Sequence, residues 1–422
     1  MQRVDSRLGL GERQGPLVST VHRWTAVAAI AWAAWLGVAA PAAATSLSGE
    51  IGQFFDRNAF PARGHVFSQL ISPLIERIAL RGVDLPVAAT SPAFAYRFSF
   101  EGGAPERLDA SLGPVFAERV ETQGRRRGEI GFAYLHANLD RWEGGSFARL
   151  IRIGGTLPFE SSTATQRFAA SDFDLPVDMF YFSVTYGLTE RWDINLLQPL
   201  VRTAIDLHGT STATFTGTGV GSGRASEETG FAAASVGAGD TLLRTKYRFG
   251  GRWSWVAALL GLRLPAGDPD DFHGSGDVRV TPTLVASKTV GLHDVHLNLG
   301  WDLNASDVSL TRATYAAGVS IRALPRLTVL LDVLGSSGVA PERLTIPVGV
   351  FPQTFGFDDL IVARGRGRVV AEIPRTDLVN LNTGLKIALP RRLVASLGAI
   401  VPLTTDGLRP RVIAAGTLEW RF

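Results

Sequence analysis

The fold is decided by the last stretch of the chain, RVIAAGTLEWRF, which spans residues 411–422. A β-strand places alternate side chains on opposite faces. One face of this stretch is apolar and ends in two aromatic residues, whereas the other is mostly polar and carries both signs of charge. An apolar outer face opposite a polar inner face is what a membrane β-barrel needs at its closing strand. Taken alone, the stretch also fits the last strand of a soluble sandwich.

The same alternation recurs upstream. Val295, Leu297 and Leu299 share one face of a segment whose other face holds His296 and Asn298. Most such segments are about as long as the ~9–11 residues that a tilted strand needs to cross a bilayer. The predicted strands are 93–101, 113–122, 128–139, 178–187, 191–205, 240–249, 253–264, 278–289, 293–303, 312–322, 326–335, 376–389, 391–402 and 410–422.

Short and long connections alternate between these strands. The short ones are 187–191, 250–252, 290–292, 323–325 and Pro390, and the long ones are 140–177, 206–239, 265–277, 304–311, 336–375 and 403–409. Short turns at one end and long loops at the other are typical of outer-membrane barrels. We therefore predict an all-β, transmembrane antiparallel barrel of about 14 strands, closed by the strand that ends in Phe422.

Twelve and sixteen strands remain alternatives. The first two segments alternate least clearly, and the connection 336–375 has apolar stretches that could add a pair. Pro199 and Pro282 fall inside predicted strands, so each requires a bulge or a break in the hydrogen-bond ladder.

A barrel explains the persistent apolar face better than a sandwich, because the outer face of a sandwich is hydrated. The polar faces should then line a lumen. The predicted lumen-lining residues are Asp193, Asn195, Arg244, Lys246, Arg248, Arg279, His296, Asn298, Asp302, Asp332, Lys386, Arg411 and Glu419. Aromatic residues near the short turns fit an interfacial girdle. These are Trp192, Tyr247, Phe249, Trp253, Trp255 and Trp420.

The amino-terminal 92 residues differ from the rest. Basic residues, an uncharged run and an Ala-rich end describe a secretory signal peptide over residues 1–44, with cleavage near Ala44. An uncleaved anchor is the alternative. Residues 45–92 are expected to be a periplasmic or plug segment, with an amphipathic helix over 67–80 that Pro73 weakens. Residues 93–422 are the predicted barrel domain.

Composition and motifs argue against several functions. The chain has 42 Lys and Arg against 39 Asp and Glu, and no cysteine. This balance does not favour a nucleic-acid partner, and thiolate chemistry is excluded. The Gly-rich run 217–223 lacks phosphate-loop spacing, and the acidic loop around Asp268, Asp270, Asp271 and Asp277 lacks a calcium-loop pattern. No catalytic residues, metal or cofactor are predicted, and an enzyme is not expected.

Several turns and strand starts carry a family resemblance. They are YGLTERWD at 186–193, GAGDTLLRTKYRF at 237–249, LPAGD at 264–268 and NTGLK at 382–386. With the closing strand, they resemble the transporter-like outer-membrane family named for the meta-cleavage pathway of phenol degradation. The resemblance covers roughly residues 93–422 and implies an outer-membrane channel, with aromatic or other hydrophobic solutes suggested only by the family name.

The function expected from the sequence is passage of small, hydrophobic or aromatic solutes across the outer membrane. The alternative is a barrel that transports nothing and has a structural or surface-adhesion role. The expected partners are outer-membrane lipid and lipopolysaccharide, for which Arg364, Arg366 and Arg368 are candidates. Two further partners are expected: the barrel-assembly machinery, which would act on the closing strand, and a small-molecule solute.

Overall fold

The structure is a computed structural model. A closed barrel of twelve antiparallel strands makes up most of it. The structure describes residues 46–59, 85–87, 89–90, 96–97, 106–107, 111–159, 162–217, 222–347, 361–365 and 368–422. The barrel strands are β1 Gly128–Trp142, β2 Pro176–Thr189, β3 Trp192–Gly217, β4 Thr241–Arg248, β5 Val256–Leu264, β6 Arg279–Val290, β7 His293–Asn304, β8 Arg312–Leu324, β9 Leu327–Gly338, β10 Asp377–Leu389, β11 Leu393–Pro402 and β12 Leu408–Arg421.

Each strand pairs with the next one along the chain, and β12 pairs with β1 to close the barrel. At the seam Arg421 lies opposite Glu129, and the backbones of Phe422 and Gly128 exchange hydrogen bonds of 3.0 and 3.2 Å. The closing strand therefore has the role that its alternating pattern predicts. The short turns all lie at one end of the barrel and the long connections at the other, as expected.

Twelve of the fourteen predicted strands are confirmed, and the two at the amino-terminal side are not. Residues 113–122 are not a strand, which corrects that prediction. Within 93–101 only Tyr96–Arg97 is described as strand, and it pairs with Glu106–Arg107 in a separate two-stranded sheet. Residues 113–122 are buried inside the barrel without a strand partner, so their apolar residues do not require a ladder.

Two predicted surface loops, 140–177 and 206–239, are largely strand, which corrects the loop prediction. β3 continues past the barrel to Gly217, where it pairs with Ser162–Asp174 on one side and Gly223–Ala238 on the other. Arg152–Phe159 adds a fourth strand. β3 changes partner from β4 to Gly223–Ala238 next to Pro199, a residue that has no N–H to donate.

Helix α1, Leu47–Ala59, packs against this four-stranded extension at the long-loop end. The ring of Phe54 lies 5.4 Å from that of Phe168 and 5.5 Å from that of Phe231. These aromatic contacts bury apolar surface that a sheet outside the bilayer would otherwise expose to water. Elsewhere in the long loops, Gly145–Ser146 pairs with the end of β1, and two 3₁₀ turns span Phe147–Leu150 and Val308–Leu310. A third 3₁₀ turn, Gly251–Trp253, lies in the short connection between β4 and β5.

The connection between β9 and β10 adds no strands to the barrel. Glu342–Pro347, Ile361–Gly365 and Arg368–Ile373 form a separate three-stranded sheet, so the sixteen-strand alternative is wrong. The predicted helix 67–80, the predicted signal peptide and most of the Gly-rich run 217–223 lie outside the described residues.

The outer wall of the barrel is apolar along the middle of its strands. Its exposed side chains include Phe180, Leu260, Leu284, Leu299 and Leu397. Aromatic residues collect at the short-turn rim, where the indoles of Trp253 and Trp255 stack with ring centroids 6.0 Å apart. An apolar band edged by aromatics is the surface of a barrel that spans a bilayer. Among the described residues, no helix is long and apolar enough to cross a membrane.

Candidate functional site in the barrel lumen

Residues 111–123, here called the inner segment, lie inside the short-turn half of the barrel. Their contacts reach inward-facing side chains all around the wall. Ser111 donates to Asp294 on β7, the Leu112 N–H to Thr328 on β9 (2.9 Å) and the Val120 N–H to Ser287 on β6 (3.0 Å). At the short-turn rim the Gln123 N–H donates to Asp193 on β3 (2.8 Å). A segment bonded to four strands around the wall occupies the lumen itself.

Glu118 is the buried charge at the centre of this segment. Its carboxylate lies 3.4 Å from Nζ of Lys246 and 3.6 Å from Nη1 of Arg244, both on β4. Thr90 donates to it from its backbone N–H (2.6 Å) and its hydroxyl (2.7 Å). Asn298 bonds the backbone N–H and carbonyl of Glu118 at 2.7 and 2.8 Å. The inner segment is thus held by both charge and backbone contacts.

These partners set the protonation state of Glu118. Burial alone would raise the pKa of a carboxyl group, because it penalises the charged form. The charges of Lys246 and Arg244 and the hydrogen bonds from Thr90 outweigh burial and hold the pKa of Glu118 below its ordinary value of 4.5. Glu118 is therefore a carboxylate at neutral pH.

Two further ion pairs and one buried His–Asp contact lie on the inner face. Nζ of Lys386 lies 2.9 Å from Oε1 of Glu419 and donates to the carbonyl of Pro114 (3.2 Å), so it also holds the inner segment. Nε2 of His296 lies 2.7 Å from Oδ1 of Asp332, whose other oxygen accepts from Asn382. Nη1 of Arg279 lies 2.9 Å from Oδ2 of Asp302. The predicted polar lumen is therefore closely paired.

The predicted lumen residues fall into three groups. A first group is buried on the inner face: Asp193, Asn195, Arg244, Lys246, Arg279, His296, Asn298, Asp302, Asp332 and Lys386, with Glu419 nearly so. Arg248 lies instead at the short-turn end, where its Nε donates to the carbonyl of Ser254 (3.1 Å). Arg411 is on the outer face.

The placement of Arg411 corrects its prediction as a lumen residue. Its side chain is 71% exposed and pairs with Asp140 at 3.1 Å. The register of β12 against β1 shifts twice between Arg409 and Ile413, so the ladder is bulged on both strands there. A bulge reverses the alternation on one side of it. The inward arginine of β12 is therefore Arg409.

A cavity of about 300 Å³ lies in the long-loop half of the lumen. Phe116 and Glu118 of the inner segment, with Leu85 and Val87, form part of its lining, and the barrel strands form the rest. Its charged lining consists of four arginines and two carboxylates: Arg244, Arg263, Arg312, Arg409, Glu118 and Asp302.

A second, larger space of about 890 Å³ is an apolar groove on the outer wall over β4–β8. It shares Leu259, Thr283, Thr314 and Tyr315 with the lumen cavity, so the two spaces are separated by only one layer of side chains. The ladder between β6 and β7 is interrupted there, because Thr281 and Pro282 have no partners on β7. The break in the ladder thus lies where the two spaces meet.

The acidic loop between β5 and β6 caps helix α1. Oδ1 of Asp271 accepts from the Leu47 N–H (2.7 Å), and the Asp270 carbonyl accepts from the Ser48 N–H (2.9 Å). Carboxylates at a helix amino terminus satisfy its free N–H groups and favour its dipole. Burial, with Asp268 and Asp271 nearby, raises the pKa of Asp270. Within the described ranges no three His, Cys, Asp or Glu side chains are grouped to hold a metal ion.

Sequence reasoning missed several residues of the lumen. Glu118 and Thr90 were missed because the segments that carry them are not barrel strands. Arg263 and Arg312 lie at strand ends, where the alternation is weakest, and Arg409 lies beside the bulge. The available signal for Glu118 was its position directly after the apolar run PVFA at 114–117.

Comparisons with known proteins give structural similarity alone. No family model matches the chain, and no curated protein matches its sequence. An outer-membrane channel from Pseudomonas putida F1 aligns at 13% identity and a TM-score of 0.44, over 72% of this chain and 98% of that one. A FadL homologue from Pseudomonas aeruginosa aligns at 6% identity and a TM-score of 0.32, over 70% and 89%. The toluene transporter TbuX from Ralstonia pickettii aligns at 12% and 0.26, over 71% and 90%. These similarities are too distant to assign a solute.

Proposed function

We propose that the protein is a channel of the bacterial outer membrane that passes small apolar solutes by a sideways route through the barrel wall. Solutes would enter the cavity in the long-loop half and leave through the wall into the bilayer. The proposal assigns no catalytic step to the chain. It is supported by the apolar outer band, which suits a bilayer, and by the short turns at one end, which are periplasmic in outer-membrane barrels.

One observation carries the proposal: the lumen cavity and the outer groove meet at the break in the β6–β7 ladder. An axial route would have to displace the inner segment and its buried ion pairs, which costs several kcal/mol. A sideways route needs only side-chain movement at residues such as Tyr315, whose ring packs against Gly335. The sideways route is therefore the less costly one.

The test locks the wall with a disulfide. Because the natural chain has no cysteine, only the introduced pair can form one. Leu284 and Leu299 face each other across β6 and β7 beside the break, so L284C/L299C would fix the strands together. Ala286 and Leu297 form the next such pair, and A286C/L297C is the matched control. The readout is uptake of labelled toluene by cells that express each variant.

We expect oxidised L284C/L299C to lose most toluene uptake and to regain it on reduction, whereas the control pair transports in both states. Equal uptake by oxidised and reduced L284C/L299C would rule out the sideways route. No uptake by the natural chain above a strain that lacks it would rule out the channel function itself.

The four-stranded extension favours a second candidate, a surface role without transport. It projects beyond the barrel with α1 packed on it, and its strand Gly223–Ala238 is largely exposed. A surface role without transport predicts that replacing the extension by a short turn abolishes the role, and that the natural chain takes up no more toluene than a strain that lacks it. The channel proposal predicts instead that uptake depends on the wall at Pro282.

The remaining sequence-based expectations are part of the same proposal. Cleavage near Ala44, a plug role for residues 45–92, contact with lipopolysaccharide, and recognition of the closing strand by the assembly machinery are proposed on their sequence patterns. Membership of the phenol-degradation family is proposed on the turns that resemble it.

A further inference from the structure

We infer that helix α1 lies on the outer surface of the cell, and that the chain behind it crosses the outer membrane inside its own barrel. The inference goes beyond the proposed channel function and rests on one part of it, the orientation that places the short turns in the periplasm. It is carried by the contacts of α1, by the path of the described residues that follow α1, and by the length of chain that precedes α1.

Both ends of α1 are held by elements at the long-loop end of the barrel. Its first N–H groups are capped by Asp270 and Asp271, in the long connection between β5 and β6. Near its last residue, the carbonyl of Asn58 accepts from Nε2 of Gln166 (2.7 Å) and from the hydroxyl of Ser211 (2.8 Å), both on the four-stranded extension. The long connections of outer-membrane barrels face the outside of the cell. In the proposed orientation α1 therefore lies outside.

The seat of α1 is formed by apolar contacts. Leu47, Ile51, Phe54 and Phe55 share one face of the helix by their spacing, and all four are buried. The ring of Phe55 lies 5.7 Å from that of Phe168 on the extension. Because burial of apolar surface is the main favourable term in packing, four such side chains hold α1 in this seat.

The described residues that follow α1 descend through the barrel in chain order. Leu85 and Val87 line the cavity in the long-loop half. The Ala89 N–H then donates to the carbonyl of Val115 in the inner segment (2.8 Å). The inner segment, residues 111–123, occupies the short-turn half and ends at the rim where β1 begins. A segment that entered from the periplasm would instead have both its ends at the short-turn rim.

The chain that precedes α1 is too short to join it to the inner membrane. Residues 1–44 read as a cleaved signal peptide or an uncleaved anchor, and only two residues separate Ala44 from Leu47. This stretch spans about 11 Å at most, since an extended residue covers about 3.3–3.6 Å. A bilayer with its headgroups is about 40–45 Å thick. The position of α1 therefore requires the proposed cleavage near Ala44.

This path holds the lumen segment at both ends of the barrel. Helix α1 secures it at the long-loop end, and its covalent link to β1 secures it at the short-turn rim. Sliding the segment out along the barrel axis would require α1 to leave its seat. A solute that leaves through the wall disturbs neither end, which agrees with the proposed sideways exit.

Single cysteines test the inference, because the natural chain has none. The variants are Arg57→Cys on α1, Arg224→Cys on the extension and Arg252→Cys in the short connection between β4 and β5, all at exposed residues. The full-length protein is expressed in a bacterial host with an outer membrane. Intact and lysed cells are treated with a maleimide on a polyethylene glycol chain that is too large to enter the periplasm, and labelling is measured as a shift on a gel.

We expect Arg57→Cys and Arg224→Cys to shift to the same extent in intact and lysed cells, whereas Arg252→Cys shifts only after lysis. Arg224→Cys reports the outer surface independently of α1, and Arg252→Cys reports the periplasm. We also expect the intact mass of the protein from outer membranes to lack residues 1–44. If Arg57→Cys fails to fold, Gln53→Cys, one turn earlier on the helix, replaces it.

Labelling of Arg224→Cys but not of Arg57→Cys in intact cells would overturn the inference, because α1 would then lie inside. Recovery of the protein in the inner membrane with residues 1–44 attached would also overturn it. Labelling of Arg252→Cys but not of Arg224→Cys in intact cells would overturn it together with the proposed orientation. Toluene uptake tests the channel function separately from each of these results.

Discussion

The two halves of the lumen use the same alternating strands in opposite ways. In the short-turn half, the inner segment 111–123 meets the wall with paired charges and backbone hydrogen bonds, centred on Glu118. In the long-loop half, a cavity of about 300 Å³ remains, and arginines outnumber carboxylates in its lining. The short-turn half is closed by these contacts, whereas the long-loop half has space for a small molecule.

The difference shows that a polar inner face does not by itself make a water-filled pore. Charges that face into a barrel are costly unless they are solvated or paired, and here an extended stretch of the same chain pairs them. Beyond the inner segment, toward the long loops, the wall still carries inward-facing charges and a cavity lies between them. In the proposed channel, a closed short-turn half requires the solute to leave the open half sideways.

The largest expected effect comes from breaking the closed half at Glu118. Glu118→Gln leaves Lys246 and Arg244 buried without their carboxylate, and breaking a buried pair costs about 3–5 kcal/mol. We expect a clear loss of stability in thermal unfolding in detergent, and raised ion conductance in planar bilayers as the inner segment loosens.

The matched control for Glu118 is Glu121→Gln. Glu121 belongs to the same segment but is 27% exposed, and its buried partner Arg119 lies at 3.6 Å, so its loss should cost less than that of Glu118. Equal effects of the two variants would show that the buried cluster does not hold the inner segment.

A smaller effect is expected at Gly318, below the His296–Asp332 pair. A Cβ added there would lie 2.7 Å from Nε2 of His296 and closer still to Oδ1 of Asp332. Gly318→Ala should therefore cost about 1–3 kcal/mol in unfolding measurements, through crowding and displacement of the pair. Gly416→Ala is the control, because its Cβ would meet nothing nearer than 3.5 Å. An unchanged stability of Gly318→Ala would mean that Gly318 lies farther from His296 and Asp332 than these distances indicate.

Acid should loosen the closed half without affecting the open one. The pKa of Glu118 is held below 4.5 in the folded protein, so its pairing contributes stability above the unfolded-state pKa. That contribution is lost as the pH falls through the lowered folded-state pKa. We expect stability to fall and bilayer conductance to rise only below about pH 4.5, and Glu118→Gln to lack this transition. A transition of unchanged size in Glu118→Gln would assign it to other groups.

The smallest expected effect is on the outer face. The Arg411–Asp140 pair is exposed on the arginine side, and such pairs contribute about 0–1 kcal/mol. Arg411→Gln should therefore unfold within about 1 kcal/mol of the natural chain. A larger loss would indicate that the bulge in β12 depends on this pair.

Most of the barrel could be predicted from sequence because period-two alternation acts locally. The alternation from Val295 to Leu299 predicted both the strand and its inward His296 and Asn298. The lengths of the connections predicted which end of the barrel carries the short turns. The inner segment could not be predicted, because its apolar residues fit a barrel strand and its partners are side chains of distant strands. Arg409 and Arg411 lie on opposite faces although they are two residues apart, because the ladder shifts register between them, and hydrophobic pattern alone does not locate such a shift. The partners of Glu118 come from strands more than a hundred residues away.

The most direct test of the closed and open halves is toluene uptake with the inner segment locked in place. The Val120 N–H lies 3.0 Å from Oγ of Ser287, so a Val120→Cys and Ser287→Cys pair would tie the segment to β6 on oxidation. Closure of the short-turn half with a sideways exit predicts the same uptake whether this disulfide is oxidised or reduced. Uptake that stops on oxidation and returns on reduction would show instead that solutes travel along the barrel axis past residues 111–123.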